Sequence, residues 1–226
     1  QGLIPPLNSK IITNAPRSKV FHPPATHRIK SKLSVIITSW SSNWRKGFKD
    51  YRWLDENLDF NKYSVTFVGN SPIVFKNIQM LEPLANEQLS AELRKHDVFL
   101  TGSRVDPCSN SLIEALHTGL PAIVYNDGGH PELVGQAGLV YNDVSQIPEF
   151  LEKLRKDYLL YRAKIAVPEI SEVATQYCDY FEKLLHQRAT YINKRYSFNL
   201  VIKLVLLYWS IFWGKFTQKI FKSFKT

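Results

Sequence analysis

The chain has 226 residues, a length that suits one well-buried α/β domain with a short appendage and excludes two full α/β domains. Hydrophobic residues make up 44% of it and charged residues 22%, an ordinary globular composition that excludes a disordered or fibrous protein. The net charge is +9, but no recognisable nucleic-acid-binding module accompanies it, so no nucleic-acid partner is predicted.

Cysteine usage bears on the cellular compartment. Cys108 and Cys178 lie far apart, and we see no secretory leader. This usage predicts a reducing compartment without a disulfide framework, so the cytoplasm is the expected location. Because the first residue is Gln rather than Met, we expect a cut or processed sequence.

The chain begins with a predicted connector and continues as alternating strands and helices. Residues 1–30 contain two Pro-Pro pairs that interrupt any regular pattern. Short apolar runs then predict strands at 33–38, 65–69, 78–80, 97–101, 121–125 and 138–141. Helices are predicted at 48–57, 86–96, 111–118, 147–156 and 169–187. This alternation predicts an α/β fold, a Rossmann-like parallel sheet with helices on both faces.

A signature that could bind a ligand follows the predicted strand 97–101. Residues 103–121 are Ser-Arg-Val-Asp-Pro-Cys-Ser-Asn-Ser-Leu-Ile-Glu-Ala-Leu-His-Thr-Gly-Leu-Pro, and residues 127–132 are Asp-Gly-Gly-His-Pro-Glu. This pattern closely resembles the donor-site signature of the group 1 glycosyltransferases, family 4 in the sugar-enzyme classification. Asp106 and Glu114 fill its two acid positions. The resemblance covers roughly residues 10–185 and implies the C-terminal, donor-binding half of a GT-B fold.

The resemblance also implies a chemistry. It implies sugar transfer from a nucleotide sugar with retention of configuration, without a metal and without any other cofactor. Glu114 is expected at the ribose diol and Asp106 at the transferred sugar. The family's Gly-Arg before Lys-Gly is missing here, because Ser39-Trp-Ser41 occupies that loop. Half of the expected cationic clamp is therefore in question.

Physical chemistry supports a phosphate site independently of the family. A helix that starts near Ser111 after a strand offers unpaired amides and a positive dipole end to a diphosphate. The amides of 109–112 (Ser109, Asn110, Ser111 and Leu112) are the expected donors. Lys46 could approach the same phosphates and stabilise charge on the leaving group, with Ser41 and Gly47 beside it. Gly128 and Gly129 allow a close backbone approach to a ligand.

Each assignment has a simpler alternative. Ser111 to Glu114 also forms a capping-box pattern, which would use the Glu114 carboxylate only for a backbone amide. Lys46 could be an ordinary solvated side chain. Asp106-Pro107 could only open a turn, and Gly128-Gly129 could only make one.

The C-terminal segment holds the whole charge excess. From Lys183 onward there are nine basic residues and no acid. Residues 198–213 are nearly all apolar, and lysines and phenylalanines follow. This composition fits amphipathic helices lying in an anionic membrane surface, so we expect peripheral association of 198–226 with the inner face of a membrane. The alternative is a helix that packs on an acceptor-binding domain.

The predicted organisation is a connector at 1–30, a nucleotide-sugar-binding domain at 31–185 and a basic tail at 186–226. We expect the acceptor-binding half to be a separate domain or chain. Two other hypotheses remain: a GT-B-fold epimerase or phosphorylase, and a non-catalytic nucleotide-sugar-binding or membrane-associated partner protein.

Overall fold

The computed structural model describes residues 9–26, 29, 31–192 and five positions near the C-terminus, 202, 205, 206, 208 and 209. The chain divides into two compact units, Gln1–Gln176 and Tyr177–Thr226. The first unit contains the whole sheet.

A six-stranded sheet forms the centre of the first unit. Its strands are β1 (Leu33–Ser39), β2 (Tyr63–Gly69), β3 (Gln79–Leu81), β4 (Val98–Thr101), β5 (Ala122–Tyr125) and β6 (Gly138–Tyr141). All neighbouring strands are parallel, in the order β3-β2-β1-β4-β5-β6. The strand order reverses direction between β1 and β4, which is the topological switch point of a Rossmann-like sheet. The predicted fold class is confirmed.

Seven α-helices connect or follow the strands in the described residues. They are α1 (Phe48–Asn57), α2 (Asn86–Leu93), α3 (Asn110–His117), α4 (His130–Val134), α5 (Ile147–Lys156), α6 (Tyr158–Ala163) and α7 (Ile170–Ile192). A 3₁₀ turn, Trp44–Lys46, precedes α1. The bounds of α1 and α5 coincide with the prediction. The prediction missed α4 and α6, since five or six residues are too few for a helical period to stand out.

Two hydrophobic clusters cover the two faces of the sheet. On one face, α1 and α5 pack through Phe48, Tyr51, Leu151 and Leu154. On the other face, α2, α3 and α4 pack together with Phe21, a residue of the predicted connector that is only 2% exposed. Helices on both faces explain why the central strands are apolar on both sides rather than alternating.

The second unit is described only in part. No helix among the described residues is long and apolar enough to cross a membrane. Most of the predicted tail, including all of 210–226, lies outside the described residues. The five described positions in 202–209 are helical, and their side chains are exposed.

Candidate functional site

A cavity of about 280 Å³ opens at the carboxyl ends of β1 and β4. This is the switch point, where the loops leave the sheet in opposite directions and a crevice forms between them. The volume is close to the lower end of the roughly 300–1,000 Å³ that small-molecule sites occupy. Its lining is Thr38, Ser39, Trp40, Ser41, Lys46, Thr101, Ser103, Asp106, Cys108, Ser109, Asn110 and Ser111.

Lys46 reaches the cavity from the β1–α1 loop. The Asn43 side chain caps the 3₁₀ turn that carries it, accepting a 2.9 Å hydrogen bond from the Arg45 amide. Gly47 follows with φ of 95°, and a Cβ there would lie 2.7 Å from the backbone of Gly102. Glycine therefore lets this loop pack directly on the β4–α3 loop. Gly47 itself shapes the loop and does not line the cavity.

Lys46 and Asp106 form an ion pair inside the cavity. Lys46 Nζ lies 3.1 Å from Asp106 Oδ2, and the side chains are 38% and 16% exposed. The two residues come from different βα loops and are 60 positions apart in sequence. Both predicted charged groups thus face the same space.

The N-terminus of α3 forms another wall of the cavity. The helix starts at Asn110, with Ser109 as its N-cap residue, and no side chain makes a capping hydrogen bond. Ser109 Oγ and Ser111 Oγ lie 3.1 Å apart. Because Ser111 is already inside the helix, the capping-box alternative for Ser111 and Glu114 is not formed. The first-turn amides and the dipole end point toward the crevice, as an anion site requires.

Glu114 and Leu112 lie on α3 outside the cavity lining. Leu112 is fully buried in the core, so its side chain is structural and only its backbone could serve a ligand. Glu114 is half-buried, and burial raises the pKa of its carboxyl group to about 7. Neither residue lines the cavity itself. A ligand that donates hydrogen bonds to such a carboxyl group would stabilise its charged form.

Gly128 and Gly129 contact protein backbone. A Cβ at Gly128 would lie 2.3 Å from the Asp106 carbonyl oxygen, and one at Gly129 would lie 2.2 Å from that of Pro107. Both glycines are therefore needed for the β5–α4 loop to approach the loop that carries Asp106. His130 follows them; it is fully buried, and burial lowers the pKa of its imidazole.

Sequence reasoning missed a polar cluster directly behind the cavity. The Arg104 guanidinium donates 3.1 Å hydrogen bonds to both carboxylate oxygens of Asp50, which is only 6% exposed. The Tyr141 hydroxyl donates to the same carboxylate at 2.7 Å. The available clue was Asp50, an acidic residue on the apolar face of the predicted helix 48–57. No group of three or more metal-ligating side chains occurs in the part of the chain that the structure describes.

Residues 55–157 match the family model described as "Glycosyl transferases group 1". This region of the chain is therefore similar to a group 1 glycosyltransferase domain. The match extends from α1 to the end of α5 and includes β4, α3 and the Gly128-Gly129 loop. The predicted resemblance is confirmed. No curated protein sequence matches the chain.

The fold is similar to those of several solved glycosyltransferase structures. Sucrose-phosphate synthase from Thermosynechococcus elongatus superposes with a TM-score of 0.64 at 16% identity, over 78% of this chain and 53% of that protein. HepE from Anabaena, solved with UDP and glucose, gives a TM-score of 0.62 at 14% identity, over 76% of this chain and 56% of HepE. The C-terminal domain of LpcC, a group 1 family glycosyltransferase from Francisella tularensis, gives a TM-score of 0.54 at 18% identity. The superposition covers 72% of this chain and 98% of the LpcC domain.

The chain spans about half the length of the full enzymes it matches, and nearly all of the isolated LpcC domain. The matched fold is therefore the C-terminal half of a GT-B glycosyltransferase.

Proposed function

We propose that this chain binds the nucleotide-sugar donor of a glycosyl transfer in the cavity between β1 and β4. The observation that carries this proposal is the meeting of Lys46, Asp106 and the α3 N-terminus around one cavity at the switch point. HepE, which has the same fold, was solved with UDP and glucose.

The diphosphate lies against the N-terminus of α3. The amides of Ser109, Asn110, Ser111 and Leu112 face negative charge there, and no side chain competes for them as a cap. Lys46 supplies the mobile cation. Its ammonium moves from Asp106 toward the leaving phosphate and stabilises the charge that develops as the glycosidic bond breaks.

The nucleoside extends along α3 toward Glu114. A ribose diol donates two hydrogen bonds to the Glu114 carboxylate, and these favour the charged form that burial disfavours. Asp106 faces the sugar, where its carboxylate accepts from a hydroxyl group. Ser41 completes the wall opposite α3.

The transfer is proposed to retain the anomeric configuration and to need neither metal nor other cofactor. The support is the group 1 match together with the Lys46 ammonium, which supplies the charge that a divalent cation would otherwise supply. Excess EDTA should leave the nucleotide affinity unchanged. A loss of affinity that Mg²⁺ restores would contradict metal independence.

Calorimetric titration with UDP, GDP and their common sugar conjugates tests the donor site. One nucleotide should bind saturably to the wild type. Its affinity should fall by about 1–3 kcal/mol in Glu114→Ala, because charged hydrogen bonds to the ribose are lost. Glu149→Ala, which changes an exposed glutamate on α5 outside both the signature and the cavity lining, is the control and should bind like the wild type. No binding by folded wild type would contradict the proposal.

The acceptor is proposed to bind on a second domain or chain, since catalysis in a cleft needs both walls. The chain by itself should then bind donor without transferring sugar. The alternative function is a nucleotide-sugar-binding partner protein that never completes a catalytic cleft. Transfer that appears when an acceptor-binding domain is supplied would favour the enzyme, and turnover by the chain alone would contradict the half-enzyme proposal.

A peripheral membrane role is proposed for 198–226, at the cytoplasmic face. Ile202, Val205, Leu206, Tyr208 and Trp209 are each between 41% and 71% exposed. Nine basic residues and no acid lie from Lys183 onward. Exposed apolar and aromatic side chains within a basic segment suit an anionic lipid surface.

Vesicle pelleting tests this role. The chain should pellet with vesicles of phosphatidylglycerol and phosphatidylcholine, and less with phosphatidylcholine alone. Charge reversal at Lys215, Lys219 and Lys222 should abolish the difference, because each basic residue near an anionic surface contributes about 1 kcal/mol. Reversal of Lys49, Lys62 and Lys76 in the first unit is the matched control. Equal pelleting by both variants would contradict the proposal.

A further inference from the structure

The segment that presents Asp106 is held in a strained backbone conformation. Val105 has φ of 56°, and among the described residues it alone combines a side chain with a positive φ. A β-branched residue disfavours this region because its Cβ crowds the neighbouring carbonyl. The Val105 side chain is 69% exposed, so its own packing does not offset the strain. Other contacts must hold the segment in place.

Arg104 supplies the strongest of these contacts. Its Nη2 donates to both oxygens of the buried Asp50 carboxylate, and its Nη1 donates to the Gly102 carbonyl oxygen at 3.0 Å. The guanidinium also lies 4.1 Å from the centre of the Tyr125 ring. Tyr141 holds the Asp50 carboxylate from the other side. A planar guanidinium can bond the Asp50 carboxylate and the Gly102 carbonyl oxygen through different nitrogens while its face lies against the Tyr125 ring, which a single ammonium group cannot do.

Backbone hydrogen bonds fix the segment on both sides of Val105. The Arg104 amide donates to the Arg45 carbonyl oxygen at 2.7 Å, which ties the segment to the loop of Lys46. The Val105 amide donates to the Asp127 carboxylate at 3.1 Å. The Asp106 carbonyl oxygen accepts a 2.9 Å hydrogen bond from the Gly129 amide. The β1–α1 and β5–α4 loops thus both contact the β4–α3 loop at Arg104, Val105 and Asp106.

We propose that Arg104 is a positioning residue: anchored on Asp50, it holds Val105 in its left-handed conformation and so places Asp106 opposite Lys46. Arg104 does not line the cavity, so it acts on the donor only through Asp106. The positioning role rests on the proposed function only in assuming that Asp106 contacts the sugar of the donor.

Two binding constants separate positioning from general support. Kd is measured for UDP and UDP-glucose, or for GDP and GDP-mannose if the guanine nucleotide is the one that binds. Arg104→Lys should keep the Kd of the plain nucleotide within about threefold. Its preference for the sugar conjugate should fall about tenfold, as in Asp106→Asn, since a charged hydrogen bond to the sugar is lost. Adding Val105→Gly should restore part of that preference, because glycine adopts the left-handed conformation without strain.

Thermal unfolding tests the anchor without any nucleotide. Val105→Gly should raise Tm by several degrees relative to Val74→Gly, a control at a valine that is 91% exposed and has no positive φ. In the Arg104→Lys background, Val105→Gly should no longer raise Tm relative to Val74→Gly. Without the anchor, Val105 leaves the left-handed conformation, so no strain remains for glycine to relieve. If Arg104→Lys does not fold, Tyr141→Phe replaces it, with smaller changes in the same direction.

The outcomes are distinct. An unchanged sugar preference in Arg104→Lys, or an equal gain from Val105→Gly in both backgrounds, overturns the positioning role. Equal weakening of both ligands without rescue also overturns it, since that is the result of a merely structural ion pair. If wild type binds no nucleotide, the proposed function fails, and the thermal comparison still decides the role of Arg104.

Discussion

At the scale of single residues, the two acids of the predicted signature differ: Asp106 is ion-paired with Lys46, whereas Glu114 is partly buried. Lys46 and Asp106 neutralise each other at 3.1 Å. Glu114, by contrast, is disfavoured as a carboxylate by burial, which raises its pKa to about 7. A ligand with hydroxyl donors would relieve that cost. The Glu114 carboxylate is therefore destabilising in the free protein, and the proposed ribose contact would offset that cost.

The raised pKa of Glu114 predicts a pH-dependent stability. Its ordinary value is 4.5 and its folded value is about 7, so the folded protein holds this proton more tightly than the unfolded chain. The resulting stabilisation is complete below pH 4.5 and is lost as pH rises through 7. Between these values, wild type should lose about 1–2 kcal/mol relative to Glu114→Gln, allowing for partial solvent access. Urea unfolding across this pH range measures the difference, and parallel profiles would contradict it.

At the scale of elements, loops are anchored by buried acids on α1. Asp50 holds the β4–α3 loop through Arg104. One turn later, Asp55 holds the chain entering β3: its carboxylate accepts from the amides of Lys76, Asn77 and Ile78 at 2.7–2.8 Å. One helix therefore fixes two loops, which explains two polar positions on an otherwise apolar face.

Asp55→Asn should destabilise the fold without affecting the donor site. The amide group loses the charge and at least one acceptor position for the three backbone amides, so the free energy of unfolding should fall by about 1.5–3 kcal/mol. Urea unfolding measures this, with the exposed neighbour Glu56→Gln as the control. Nucleotide affinity should match that of wild type at a temperature where both are folded. A stability equal to that of the control would mean that these hydrogen bonds contribute little.

At the scale of the whole molecule, the cavity proposed as the donor site belongs entirely to the first unit. Every residue that lines the cavity lies between Thr38 and Ser111, and the sheet ends at Tyr141. The basic residues and the apolar residues of the tail lie in the second unit. Donor binding and membrane association are thus proposed for different parts of the chain.

This separation predicts the behaviour of a fragment ending at Gln176. The fragment keeps all six strands and the cavity, so its nucleotide Kd should stay within about twofold of the full chain. It should not pellet with anionic vesicles. Circular dichroism establishes that the fragment is folded before calorimetry is performed. A folded fragment with weakened nucleotide binding would show that the tail contributes to the donor site.

The sequence by itself determined the strands, the longer helices and the resemblance to a family. Apolar runs and turn residues predicted all six strands within about three residues, because these signals are local. The motif around Asp106 and Glu114 identified the glycosyltransferase domain, since its residues are contiguous in the chain.

Only the tertiary structure decided which side chains meet. The parallel sheet brings Lys46 to Asp106 across 60 positions and Arg104 to Asp50 across 54. It also directs Gly128 and Gly129 toward the backbone of the Asp106 loop. Such contacts depend on strand order and loop packing, which no local pattern encodes. The tight packing of those loops places Asp106 in the cavity beside Lys46.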